Sequence, residues 1–355
     1  MATILTGNTG SPLCGNPIVY TVKAGAYTNP TFHRVIMIVH AGLQGGDYQP
    51  IQMSVPVFSE NQEEIPIDVS SALRAVADNY EFTPTPPTYY PYISYFLEAW
   101  DEYMVNGEVI DSSHDFYPDI PSGATVPPNP FRAMMGKYSD MERILAGESK
   151  QTQKFTRKPS TSPEIVMVGE TYVRPAEMQV HSGNITHGPQ SVVYNVSSEG
   201  AQTIDGASIY ALAAGQQDRY QFRFINSLGV MESVSVKSLR QTDVGIDTAQ
   251  YIKSLTETFN KFSRGVTIKQ NDYETWKMTS GPVDAAWQSW YIHEFLMARY
   301  VWINLRTTAN PLWIACHILP EEQVAGLNRR DLSRMEVPFS VKLDIEGSPM
   351  SDLAI

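Results

Sequence analysis

The chain has 355 residues, of which 42% are hydrophobic and 18% charged, so it can build folded cores and is not a disordered protein. At about 150 residues per domain, this length predicts roughly two domains. The formal net charge of −12 repels phosphate backbones and disfavours bulk nucleic-acid binding. Two cysteines, Cys14 and Cys316, are too few for a disulfide framework in a chain of this length.

Two features of the sequence argue against a membrane segment. The first residues show no basic region followed by an apolar one, so no secretory signal is predicted there. The most apolar window, 287–305, is interrupted by polar and charged residues and falls short of the roughly 18 apolar residues that a membrane helix needs. We therefore expect no membrane span.

Residues 1–113 are predicted to form a β-sandwich, because short apolar segments alternate with Gly, Pro and Asn turns. Asn106-Gly107 is a favoured two-residue turn and closes a predicted hairpin. Pro56 cannot donate to a ladder, which places its strand at an edge or a bulge. The predicted elements are the strands Pro17–Val22, Phe32–His40, Gln52–Phe58 and Tyr92–Val105, and a short helix Asp68–Ala77.

Residues 114–162 are predicted to be a Pro-rich extended linker. Five prolines lie between residues 118 and 130, and a short helix is expected at Ser139–Gly147. The segment Lys150–Lys158 contains the one notable basic run of this acidic chain. We interpret this run as a solvated linker, with contact to DNA or to an acidic partner as the alternative.

Residues 163–355 are predicted to form a second β-rich, sandwich-like domain that contains one amphipathic helix at 283–298. Residues 250–280 fit either a helix or a long β-hairpin, and we favour the hairpin. The fold class is therefore mainly β. The predicted strands are Glu164–Val168, Ser191–Val196, Tyr220–Phe224, Val230–Val236, Tyr300–Leu305, Trp313–Leu319 and Val337–Ile345.

The sequence contains no recognisable catalytic or nucleotide-binding motif. We therefore predict no catalytic residue, no cofactor and no metal ligand. The histidine pairs His33/His40 and His181/His187 lack the spacing of known metal sites and are interpreted as structural. In Cys316-His317 the two side chains of a strand point to opposite faces and cannot act together.

The densest acidic group inside a β segment consists of Glu98, Asp101 and Glu102, beside Trp100 and Tyr95. Such a group could line a glycosidase cleft or a sugar-binding face. It could also be a solvated strand face with aromatic cross-strand pairs, which is the interpretation that we favour.

Trp287 and Trp290 lie at helical spacing, which indicates a core or a subunit interface more often than a carbohydrate platform. Together with the aromatic residues of the acidic segment they form our set of candidate interface or ligand-platform residues. That set is Trp100, Tyr95, Trp287 and Trp290.

Several stretches carry a resemblance to a known group of proteins. These stretches are Gly15-Asn16-Pro17-Ile18, Tyr138-Ser139-Asp140-Met141-Glu142-Arg143, Phe222-Arg223-Phe224-Ile225-Asn226-Ser227-Leu228-Gly229, Trp290–Trp302 and Val337–Gly347. The set resembles structural proteins of tailed bacteriophages and prophages of gut Bacteroidales, including the crAss-like group. The resemblance implies a tail, baseplate or collar component built from β-sandwiches, and it carries over no functional residue.

The expected function is that of a non-enzymatic structural component of a phage virion, which assembles as a homo-oligomer with closed symmetry. The expected partners are copies of the chain and other virion proteins, with host-surface glycans as a further candidate. The Pro-rich segment would wrap a neighbouring subunit. Two alternatives remain: a carbohydrate-binding or adhesin module of a bacterial or phage surface, and a glycoside hydrolase that uses Glu98 or Asp101.

Overall fold

A computed structural model describes residues 2–6, 12–27, 30, 32–44, 46–58, 64–138, 155–176, 188–214, 219–253, 264–305, 311–320 and 336–343. The described chain is mainly β, as predicted. Its first strands are β1 (Thr3–Thr6), β2 (Val19–Lys23), β3 (Phe32–Leu43), β4 (Gln49–Pro56), β5 (Glu64–Asp68), β6 (Tyr92–Val105), β7 (Glu108–Asp111), β8 (Asp115–Tyr117) and β9 (Phe131–Met134), with helix α1 (Ser70–Ala77) between β5 and β6.

The second half of the chain continues as strands and one further helix. The strands are β10 (Glu164–Met167), β11 (Thr171–Pro175), β12 (Ser191–Asn195), β13 (Gly200–Ile204), β14 (Ala207–Leu212), β15 (Arg219–Ile225), β16 (Met231–Lys253), β17 (Arg264–Thr279), β18 (Val301–Asn304), β19 (Trp313–Pro320) and β20 (Pro338–Leu343). Helix α2 (Ala285–Trp290) lies between β17 and β18 and continues directly into a π-helical turn, Tyr291–Phe295.

The chain divides into two compact units. The first comprises Met1–Thr156, Pro175–Ser191 and Asn226–Val230. The second comprises Arg157–Arg174, Val192–Ile225 and Met231–Ile355.

In the first unit, two sheets and α1 enclose one hydrophobic core. One sheet has the order β1-β2-β5, and the other has the order β4-β3-β6-β7, with β8 and β9 also paired to β6. Strand β6 keeps its predicted bounds, and Asn106 and Gly107 close its hairpin with φ values of 55° and 86°. Strand β4 lies at an edge, as Pro56 predicted.

Between residues 118 and 130 the Pro-rich stretch forms no helix or strand, in line with the predicted irregular segment, but the strands on either side of it join the larger sheet. Strands β8 and β9 both pair with β6, and Ala133 in β9 is fully buried in the core. The five prolines lie between these two strands, where no ladder amide is needed, so they permit the pairing. The helix predicted at Ser139–Gly147 falls outside the described residues, as do His181 and His187.

The second unit contains two small sheets, β10-β14-β13 and β11-β12, which share a hydrophobic cluster. It also contains a closed six-stranded barrel of order β15-β16-β17-β20-β19-β18, where we had predicted a sandwich-like domain. The barrel closes because β18 at its end pairs back to β15. Its core is aromatic, with Phe222, Phe224, Phe295 and Phe339 fully buried.

Helix α2 covers the barrel core with the apolar side that its spacing predicted. Asp284 caps it by accepting a hydrogen bond from the Trp287 amide at 2.9 Å. The Ser162 and Thr161 hydroxyls each donate to the same carboxylate at 2.9 Å. Burial alone would raise the pKa of Asp284, but these hydrogen bonds outweigh it and lower that pKa.

The hairpin favoured for residues 250–280 is present as strands β16 and β17, and it is longer than predicted. Its ladder runs from the pair Lys237–Thr279 to the pair Lys253–Arg264. Strand β15 joins β16 only as far as Lys237, and β20 joins β17 only from Thr275 onward. Beyond these points, residues 244–253 of β16 and 264–274 of β17 pair only with each other within the described residues. We refer to this two-stranded segment as the ribbon.

Candidate functional site

The acidic group singled out from the sequence lies on β6, in the middle of the larger sheet of the first unit. The side chains of a strand alternate between faces, so Glu98 and Trp100 share one face while Leu97 and Ala99 face the hydrophobic core. We call the side of the sheet that carries Glu98 the outer face. His40 on β3 also lies there, because it is paired with Phe96.

On the outer face, one carboxylate holds two imidazoles. His40 Nε2 lies 2.8 Å from Glu98 Oε2, and His114 Nδ1 lies 2.5 Å from Glu98 Oε1. An ionised carboxylate only accepts hydrogen bonds, so both of these ring nitrogens carry a hydrogen. The side chains are 21%, 13% and 41% exposed for His40, Glu98 and His114, respectively. We call these three residues the histidine–carboxylate row.

Two aromatic residues support the row from the same face. The His40 ring stacks on Phe96 with a centroid distance of 4.4 Å and an interplanar angle of 7°. The His114 ring stacks on Trp100 at 4.4 Å and 5°. Each imidazole is thus fixed by a flat ring contact and by a hydrogen bond to Glu98, so the row is rigid and presents polar edges to solvent.

Asp101 forms a separate cluster on the opposite, core-facing side of β6. It is fully buried, and its carboxylate accepts hydrogen bonds from His33 Nε2 at 2.9 Å and from the Tyr27 hydroxyl at 3.0 Å. The Gly25 amide lies 3.2 Å from both carboxylate oxygens. Burial, and then the charge of Asp101, raise the pKa of Tyr27. This cluster orients His33 and satisfies a buried charge.

The two carboxylates considered for glycoside hydrolysis therefore lie on opposite faces of one strand. A glycosidase places its two carboxyl groups on either side of a single bond, with a cleft between them. Glu98 and Asp101 cannot be arranged in this way, since β6 itself separates them. Glu102 lies on the outer face and is paired with Arg34 at 2.6 Å, so it forms a surface ion pair.

Three of the four candidate platform residues are buried. The Tyr95 side chain is inaccessible, and its hydroxyl lies 2.9 Å from that of Tyr20 in the core of the first unit. Trp287 and Trp290 are 5% and 3% exposed and pack against each other in the core of the second unit. Trp100 is half-buried, and His114 covers one face of its ring, so it offers little open stacking surface.

The basic run ends in two ion pairs whose carboxylates are buried, which its charge alone did not predict. Lys158 Nζ lies 2.8 and 2.7 Å from the two oxygens of Glu164, and their side chains are 8% and 5% exposed. The same ammonium lies over the rings of Tyr172 and Trp290. Arg157 pairs with Glu294 at 2.5 Å. These two residues stabilise the second unit and are not a nucleic-acid surface; Lys150 and Lys154 lie outside the described residues.

A second buried carboxyl of the same unit was not identified from the sequence. Glu170 is 1% exposed and accepts hydrogen bonds from the Ser235 hydroxyl at 3.1 Å and the Met167 amide at 3.1 Å. Burial raises its pKa to about 7. Neither Glu170 nor His114 stands out in the sequence, since each acquires its role from strand pairing with distant segments.

The thiols of Cys14 and Cys316 are both free and buried. Burial raises the pKa of Cys14 to about 11 and that of Cys316 to about 12. His317 is exposed while Cys316 is buried, so the two adjacent side chains lie on opposite faces of β19, as predicted. Within the described ranges, no group of three or more His, Cys, Asp or Glu side chains is arranged to hold a metal ion.

Comparison with known proteins gives no match: no protein-family model and no curated protein matches the chain. Over the part of the chain that the structure covers, no helix has the length and apolar character required to cross a bilayer.

Proposed function

We propose that the chain is a non-enzymatic structural subunit, which works by packing against copies of itself and against other proteins of an assembled particle. On the resemblance noted in the sequence, that particle is a phage virion and the subunit belongs to its tail, baseplate or collar. The observation that supports this function is the ribbon of β16 and β17.

The ribbon is difficult to explain in a chain that works alone. It continues for ten residues of β16, which corresponds to about 33 Å at roughly 3.3 Å per residue. A two-stranded ribbon without a third strand is at best marginally stable in water, and its outer edges present unpaired amides and carbonyls. A neighbouring subunit that pairs with these edges would stabilise the ribbon.

The two-domain sandwich layout belongs to the same proposal. The first unit supports it, because its two sheets face each other across one core. The second unit supports it in part, because its two small sheets also share a cluster, although its larger component is the barrel.

The test compares the full chain with a variant in which residues 245–273 are replaced by Asn-Gly. This turn closes the hairpin at the pair Val244–Glu274 and leaves all barrel pairings of β16 and β17 in place. We expect the full chain to form a ring or other closed oligomer by light scattering and negative-stain imaging. The shortened variant should be a folded monomer. The proposal fails if the full chain is a monomer at every concentration and purified particles from the source lack it by mass spectrometry.

The two alternative functions receive less support. A carbohydrate platform needs open aromatic faces, and only Trp100 among the four candidates is partly exposed. A glycan array is its test, and we expect no binding. For glycoside hydrolysis, we expect no polysaccharide cleavage that depends on Glu98, so activity lost in Glu98→Gln would contradict our assignment.

A further inference from the structure

One open sheet edge in the second unit has the features of an acceptor for an additional strand. This edge belongs to β13, which pairs only with β14 in the described residues. Its five residues, Gly200–Ile204, include no proline and no charge. Uncharged edges without proline are the ones that accept another strand, since proteins protect unused edges with charges, prolines or bulges.

The turn after β13 determines which amides point outward. Asp205 and Gly206 form a two-residue turn with φ values of 46° and 78°, and Ile204 is paired with Ala207 across it. In such a turn the closing pair, here Ile204 and Ala207, exchanges two backbone hydrogen bonds. Along the ladder, hydrogen-bonded pairs then alternate with pairs that are not hydrogen-bonded to each other. Ala201 and Thr203 therefore direct their backbone amides and carbonyls away from β14, toward the open edge.

An apolar row runs across the sheet from this edge. Ala201 on β13 is paired with Tyr210 on β14, and Tyr210 is paired with Ile165 on β10. All three lie on the exposed face of the sheet, with Tyr210 43% and Ile165 36% exposed. A strand added beside β13 would extend this row and bury part of it.

The edge strand β4 of the first unit is protected in the way that β13 is not. The Val57 amide donates to the His33 carbonyl at 3.0 Å, so odd-numbered positions of β4 are hydrogen-bonded to β3. Pro50 and Pro56 occupy even-numbered positions, whose backbone groups face outward. Proline has no amide hydrogen, so neither position can donate to an added strand. The edge of β13 therefore lacks the protection that prolines give to β4.

We infer that β13 of one copy accepts the ribbon of a second copy by strand addition. The inference rests on the proposed assembly function and names its contact. Within the described residues, the same chain supplies both an edge strand that is paired on one side only and a ribbon of two strands without a third. The ribbon contains three basic and three acidic residues, so the net charge of −12 lies outside it and does not oppose its approach to an acidic neighbour.

Donor and acceptor are different surfaces, so the contact is head-to-tail. One-way contacts of this kind close into rings or propagate as filaments, and two copies that exchange ribbons reciprocally close a two-fold dimer. A five-residue strand contact is smaller than a stable binary interface of about 800 Å² per partner. Ring closure compensates for this, because each subunit is then held at two contacts.

The decisive experiment separates donor from acceptor. Thr203→Pro removes one outward backbone amide of β13 without removing a hydrogen bond to β14. Thr203→Val keeps that backbone amide and has a side chain of similar shape, so it is the matched control. We expect Thr203→Val to assemble like the full chain and Thr203→Pro to be a monomer by light scattering, with an unchanged circular-dichroism spectrum. An equimolar mixture of Thr203→Pro, which retains a ribbon, and the chain shortened at 245–273, which retains an edge, makes a single contact without ring closure. We therefore expect chemical crosslinking at high protein concentration to capture a 1:1 dimer that neither variant forms alone.

The outcomes are distinguishable from those of the proposed function. If the full chain assembles but Thr203→Pro assembles equally well, or the concentrated mixture gives no more crosslinked dimer than either variant alone, the inference is overturned and the proposed function stands. If the full chain is monomeric yet present in particles, the inference is again overturned, because no second copy is needed. A chain that is both monomeric and absent from particles removes the proposed function as well.

Discussion

His33 Nε2 lies 2.9 Å from Oδ1 of Asp101, and both side chains are buried beneath the larger sheet of the first unit. The Tyr27 hydroxyl and the Gly25 amide also donate to this carboxylate. A buried charge that is fully paired contributes specificity and costs several kcal/mol when it loses its partners.

Asp101→Asn should therefore destabilise the chain by about 3 kcal/mol, because an amide nitrogen replaces one acceptor oxygen among these donors. Glu102→Gln is the matched control on the same strand, where the partly exposed pair with Arg34 should contribute less than about 1 kcal/mol. Urea denaturation followed by tryptophan fluorescence measures both values. Equal losses for the two variants would contradict the assignment of Asp101.

Gly136 should tolerate no side chain. Its φ is +115°, and a Cβ there would lie 2.3 Å from the carbonyl carbon of Leu228 within the first unit. Gly136→Ala should cost more than about 3 kcal/mol. Gly123→Ala is the control, because Gly123 also has a positive φ, +85°, but has nothing within 4 Å of the added Cβ. Thermal unfolding of the two variants separates steric overlap from backbone strain, and similar melting temperatures would rule out the close approach.

Glu170 should make stability depend on pH in a direction unusual for a carboxyl group. Its pKa in the folded chain is raised from 4.5 to about 7, so the folded state holds a proton that the unfolded state has released. Stability from this group is present below pH 4.5 and is lost as pH rises through 7, by about 3 kcal/mol in total.

Glu170→Gln should accordingly be more stable than the natural chain at pH 8 and gain much less at pH 5. Glu199→Gln, at an exposed position of the same unit, controls for the loss of one formal charge. Urea midpoints at the two pH values measure the effect. A gain that is the same at pH 5 and pH 8 would show that Glu170 is ionised throughout.

Lys158 and Glu164 should behave as a coupled buried pair. Lys158→Met leaves the Glu164 carboxylate without its cation at 5% exposure and should cost about 3–5 kcal/mol. The double variant Lys158→Met/Glu164→Gln removes both charges and should recover part of that loss. A double-mutant cycle by chemical denaturation gives the coupling energy, and strictly additive single losses would mean that the two groups act independently.

Local alternation and turn chemistry predicted much of the fold. The strand Tyr92–Val105 and its Asn106-Gly107 turn follow from a run rich in aromatic and aliphatic residues and from a dipeptide that accepts positive φ. Pro56 placed its strand at an edge for the simple reason that it has no amide hydrogen. The long hairpin of β16 and β17 was favoured by Val266, Thr267 and Ile268 against a competing helical spacing.

The parts that could not be predicted depend on pairing between distant segments. Barrel closure requires the register between β18 and β15, which no local pattern encodes. The row of His40, Glu98 and His114 forms only because β3 and the residue before β8 both lie beside β6. Strands β8 and β9 were missed, because the prolines between them dominate the local composition.

Because Cys14 and Cys316 are buried and burial raises the pKa of both thiols, neither should react with thiol reagents at neutral pH in the folded chain. A single cysteine introduced at an exposed position such as Ser208 would then carry a fluorophore or spin label at one known place, with no need to remove the natural residues. Distances between subunits could be measured on the otherwise unaltered molecule.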